Sequence, residues 1–95
     1  MSKKTILCID DIKTNLFTIQ SVIEDLADDL YDVVLAISAY EGLEILLKQD
    51  IDIILLDVMM PEIDGFECAK MIKSNKKTKD IPIIFVTANK DDNTI

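Results

Sequence analysis

Apolar residues along this chain recur with two different periods, and the alternation between them outlines the fold. Thr5-Ile6-Leu7-Cys8-Ile9 is an apolar run closed by Asp10-Asp11, the composition of a strand covered on both faces. From Ile12 the spacing changes. Ile12, Leu16, Ile19, Ile23 and Leu26 follow at steps of four, three, four and three, one face of a helix that Asp28-Asp29 brings to an end. Tyr31-Asp32-Val33-Val34-Leu35-Ala36 is a second strand. Ser38 is placed to cap a second helix, with Ala39, Leu43, Leu46 and Leu47 as its inward stripe and Gln49-Asp50 at its end. A third strand over 51–57 is apolar and β-branched until it delivers Asp57. Pro61 and Asp64-Gly65 then turn the chain into a helix from Gly65 to Ser74 that buries Phe66, Ala69 and Ile72. Residues 75–80 form a polar, mostly basic connection, expected to be solvated. Pro82 opens a fourth strand over 82–86, where its missing N–H does least harm; Thr87-Ala88 end it, and 89–95 open a further helix.

Strands alternating with helices across short loops imply an α/β fold: a doubly wound parallel sheet with right-handed crossovers and helices on both faces. Ninety-five residues make one domain, 1–95. Ligands of such sheets bind outside the carboxyl ends of the strands, near the switch in strand order. Asp10, Asp11, Asp57 and Thr87 all fall at carboxyl ends, on three different strands.

Composition narrows the chemistry. With 49% hydrophobic residues the chain has material for a core, and a formal charge of −8 argues against direct contact with a nucleic-acid backbone. No apolar run reaches the roughly 20 residues a membrane span needs, and Met1-Ser2-Lys3-Lys4 is no signal peptide, so the expected location is the cytoplasm. Cys8 and Cys68 lack CxxC spacing, and the chain contains no histidine, which removes a zinc site and any Ser-His or Cys-His catalysis within it.

Three carboxylates gathered at one sheet edge repel one another, and burial sharpens the penalty. A divalent cation relieves both, and a donor set of hard oxygens selects Mg²⁺, Mn²⁺ or Ca²⁺ over zinc. Mg²⁺ takes one or two carboxylates, several waters and a substrate phosphate, so such a site suits phosphoryl chemistry with a carboxylate as nucleophile. Each residue has a plainer role as well. Asp10-Asp11 alone is a helix cap, Asp57 alone an Asx turn, and Thr87 alone a strand-end residue; it is their joint placement that favours a site.

Ile9-Asp10-Asp11, Leu55-Leu56-Asp57-Val58-Met59-Met60-Pro61, Asp64-Gly65 and Pro82-Ile83-Ile84-Phe85-Val86-Thr87-Ala88 together resemble the receiver domain of two-component response regulators. The resemblance implies a flavodoxin-like fold, with strand order 2-1-3-4 over the strands present here. It implies that a sensor histidine kinase or phosphotransfer protein donates a phosphoryl group to Asp57. Asp10, Asp11, Asp57 and the backbone carbonyl of Met59 would surround Mg²⁺, and Thr87 would be the switch hydroxyl. By the same resemblance the chain is a signalling phosphoacceptor that catalyses only its own phosphorylation and dephosphorylation.

The sequence departs from the family at its end. A fifth strand, with the lysine that contacts the phosphoryl group, and a fifth helix are missing before Ile95; Lys90 is the nearest substitute. The expectation is a fragment whose exposed fourth strand, carrying Ile83, Phe85 and Val86, promotes self-association. The competing reading is a degenerate receiver that binds partners without phosphorylation and has no need of a metal. An aspartate-nucleophile hydrolase ranks last, because it would want a DxD spacing that adjacent Asp10-Asp11 does not offer.

Overall fold

The computed structural model describes residues 3–86. Its elements run β1 (Lys4–Ile9), α1 (Lys13–Ala27), β2 (Tyr31–Ala36), α2 (Ala39–Lys48), β3 (Ile53–Asp57), α3 (Gly65–Lys73) and β4 (Ile83–Val86). The strands pair in parallel in the order β2-β1-β3-β4, the flavodoxin-like order expected from the sequence. Alternate residues of β1 face opposite ways. Ile6 and Cys8 pack with Leu16, Ile19 and Ile23 of α1 on one face. Leu7 and Ile9 pack with Ala39 and Leu46 of α2 and with Cys68 and Ile72 of α3 on the other. The sheet is therefore apolar on both sides, which is why its strands lack polar alternation.

Local chemistry fixes the helix ends. Ser38 Oγ accepts from the Glu41 N–H at 3.1 Å, and Glu41 reaches back to accept from the Ile37 N–H at 2.9 Å, a reciprocal cap on α2. Asp64 caps α3 by accepting from the Glu67 N–H at 2.8 Å. Pro82 lies just outside β4, yet its carbonyl still accepts from Ile54 N–H at 3.0 Å.

Four expectations about packing need correction. Leu26 is 81% exposed, because Leu16, Ile19 and Ile23 already fill the sheet face beneath α1. Leu47 is 60% exposed: one residue past buried Leu46, it is turned about 100° away around α2. The inward stripe of α3 is Gly65, Cys68 and Ile72, which leaves Phe66 56% exposed, its ring tilted against Phe85 with centroids 5.0 Å apart. The 75–80 connection is not wholly solvated either. Thr78 is buried and donates its hydroxyl to the Ile72 carbonyl at 2.6 Å, closing the loop onto the end of α3. The third strand is also shorter than expected, although Ile51 ahead of it is buried.

Cys8 and Cys68 sit on opposite faces of the sheet, so they form no disulfide with each other. Burial pushes both thiols up from 9.0 to about 11. The unfolded thiols ionise near their ordinary value while the folded ones keep their protons. Stability is therefore fully present below about pH 8.5 and is lost as pH climbs through 9 toward 11. Urea midpoints should fall over that window by the equivalent of roughly 2 kcal/mol per thiol. The Cys8→Ala/Cys68→Ala double variant should lack this part of the decline, and an identical decline would contradict the assignment.

Candidate metal and phosphoacceptor site

β1 has β2 on one side and β3 on the other, so the chain's switch in direction lies between β1 and β3. Their register pairs Ile9 with Leu56, which sets Asp10 beside Asp57 as both strands reach the carboxyl edge. There one carboxylate oxygen from each of Asp10, Asp11 and Asp57 lies within 4.8 Å of the other two. Asp10 and Asp57 are 3% and 1% exposed, whereas Asp11 is partly exposed.

Hydrogen bonds hold Asp10 and Asp57 in place. Asp10 Oδ1 accepts from the Ile12 N–H at 2.9 Å, so Asp10 shapes the turn into α1, whose N-cap Ile12 has no capping side chain. Asp10 Oδ2 accepts from Asn15 Nδ2 at 3.2 Å. Asp57 Oδ1 accepts from the Met59 N–H at a long 3.4 Å, which folds the residues after β3 back over its end.

The loop after Asp57 is shaped as tightly as the strands. Gly65 N–H donates to the Val58 carbonyl at 2.9 Å, so α3 starts in contact with the site backbone. A Cβ on Gly65 would collide with the Asp57 carbonyl oxygen and lie 2.7 Å from Val58 Cα. Between them, Ile63 N–H donates to the Pro61 carbonyl at 2.8 Å around Glu62, whose φ is +69°. That is a γ-turn of the uncommon positive-φ kind, here in a non-glycine residue. An open cavity of about 590 Å³ is lined by Asp11 and Asp64 together with Ile12, Met59, Met60 and Phe66.

The structure thus brings together three of the residues singled out in the sequence, Asp10, Asp11 and Asp57, with Met59 adjacent. Thr87 and Lys90 lie outside the described residues. The donor Asn15 and the close approach of Gly65 escaped the sequence. The only signal for Asn15 was a side-chain amide in the first turn of a helix, five residues after an acid. The donor set is suited to a hard divalent cation: three carboxylates with neither nitrogen nor sulfur.

A profile of the response regulator receiver domain matches residues 6–95. The chain is 40% identical over 88 residues to a probable cyclic di-GMP phosphodiesterase of Vibrio cholerae, a match covering 92% of this chain and 19% of that protein. Among solved structures it is similar to the N-terminal domain of a response regulator receiver protein from Methanoculleus marisnigri. There the identity is 36% and the TM-score 0.84, with 92% of this chain and 68% of that one covered. It is also similar to the receiver domain of a sensor histidine kinase from Pseudomonas aeruginosa, solved with a magnesium ion coordinated in its active-site cleft. That likeness is 27% identical with a TM-score of 0.81, covering 93% of this chain and 70% of that one. These matches run along the whole parallel sheet rather than over one motif, and the chain belongs to the response regulator receiver domain family.

Proposed function

We propose that this receiver takes a phosphoryl group onto Asp57 from the phosphohistidine of a sensor histidine kinase or phosphotransfer protein. The observation that carries the reading is the convergence of three carboxylates, two of them buried, at the carboxyl edge between β1 and β3. An Asp57 carboxylate oxygen attacks the phosphorus in line; the new O–P bond forms as the P–N bond breaks, and the donor imidazole keeps the electron pair. No histidine of this chain takes part, because it has none. Asp10, Asp11, Asp57 and the Met59 carbonyl would hold Mg²⁺, which when bound supplies positive charge for the phosphoryl oxygens. The protein turns over no separate substrate and acts through its own phosphorylation and dephosphorylation. Thr87 serves as the hydroxyl that follows the phosphoryl group.

Residues 1–95 act as one domain, in the cytoplasm and without direct nucleic-acid contact. No helix among the described residues is long and apolar enough to cross a membrane. The exposed side chains of Ile84 and Phe85 on β4 promote self-association, and light scattering showing a monomer at high concentration would count against it. The decisive experiment incubates the protein with acetyl phosphate, with and without Mg²⁺, and reads intact mass and the modified peptide. One phosphoryl group on Asp57, formed only with Mg²⁺, is expected. Metal-independent uptake, or uptake elsewhere, overturns the reading.

A further inference from the structure

Asp10 is a buried carboxylate with a hydrogen-bond donor on each oxygen: the Ile12 N–H at 2.9 Å on Oδ1 and Asn15 Nδ2 at 3.2 Å on Oδ2. We propose that Asn15 is a positioning residue for divalent-cation binding, fixing the rotation of the Asp10 carboxylate toward Asp11 and Asp57. The inference rests on reading the three acids as a cation site. A carboxylate turns easily about its last torsion, whose energy wells are broad. The backbone donor at Ile12 restrains one oxygen, and the Asn15 amide removes the remaining freedom. A carboxylate oxygen has two lone pairs, so neither of these donors by itself bars Asp10 from a cation or from the water around one.

The choice of an amide has its own logic. A lysine at this place in the first turn of α1 would also donate to Asp10, but its charge would compete with the cation. An alanine would favour the helix and lose the donor. Asn15 orients without charging. A donor of this kind behind a metal-binding carboxylate changes metal affinity by about 10–100-fold when removed.

The test titrates Mg²⁺ into wild type, Asn15→Ala and Asn15→Lys by calorimetry and records the Tm of each chelator-treated protein. In Asn15→Ala the Kd of the folded protein should rise about tenfold, whereas a purely structural role would lower the metal-free Tm and leave that Kd unchanged. In Asn15→Lys the Kd should rise further and the metal-free Tm should increase, because the ammonium relieves the acids. A wild-type Kd in either variant overturns this inference alone. Wild-type protein that binds no Mg²⁺ overturns the cation site beneath it as well.

Discussion

Asp57→Asn is expected to abolish phosphoryl uptake and, in the absence of divalent cations, to make the domain more stable. The two effects have opposite signs because they come from different properties of one carboxylate. Its loss removes the proposed nucleophile, and the amide nitrogen and oxygen that remain do not form a comparable acyl phosphate. Its charge, however, adds to the repulsion among the three acids: at an effective dielectric constant of about 20, two unit charges at 4.8 Å, the upper limit of the oxygen separations here, repel by roughly 3 kcal/mol. Relaxation and water reduce that figure, so the expected gain is about 1–2 kcal/mol, or on the order of 5–15 °C in Tm for a domain of this size. Asparagine keeps an oxygen for the Met59 N–H, so the turn after β3 survives. Added Mg²⁺ should reverse the order. Wild type gains about 2.7 kcal/mol at a hundred times its Kd, while the variant gains far less. Chelated and Mg²⁺-loaded melts of both proteins check the crossing. A variant less stable than wild type under both conditions would show that charge repulsion among the acids does little to oppose folding.

Asp57 was legible in the sequence because it sits where a strand's composition disfavours a charge. An acid closing an apolar, β-branched run contradicts its surroundings, and the contradiction is visible without coordinates. Strand order and sheet faces were legible for a related reason. Strands buried on both sides, such as Leu7-Cys8-Ile9 and Ile54-Leu55-Leu56, are continuous apolar runs without the spacing of a helix face. The helices were read less well, since periodicity reveals a direction but not how wide a stripe the sheet covers. Leu26, Leu47 and Phe66 each lie beyond or beside the buried stripe and are exposed among the described residues. Thr78 is the opposite case. A hydroxyl among lysines carries no mark of burial until the end of α3 presents the Ile72 carbonyl to it. The positive φ of Glu62 is likewise set by the turn around it, because glutamate has no preference for that conformation.

Gly65→Ala should be the most damaging single-methyl change, and it acts against local propensity. Gly65 is the first residue of α3, where alanine is the better helix former by up to about 1 kcal/mol, so helix energetics alone predict stabilisation. The added methyl meets backbone, however: the Asp57 carbonyl oxygen, with Val58 Cα 2.7 Å away. Backbone at the end of a central strand has nowhere to retreat, so either α3 lifts or the carboxyl end of β3 shifts. A net loss of about 2–4 kcal/mol is expected, together with weaker Mg²⁺ binding and phosphoryl uptake, because Asp57 is carried on the displaced segment. Gly42→Ala is the matched control. Its methyl meets the Ile9 side chain, with Cγ1 at 2.9 Å, in the core rather than the backbone of the site. Ile9 has rotamers to adjust, so Gly42→Ala should cost about 1–2 kcal/mol and leave the Mg²⁺ Kd unchanged once the protein is folded. Urea unfolding paired with Mg²⁺ titration separates the two. If Gly65→Ala matches wild type in both, then the start of α3 does not hold the carboxyl end of β3 in place, and the acids owe their convergence to the sheet register alone.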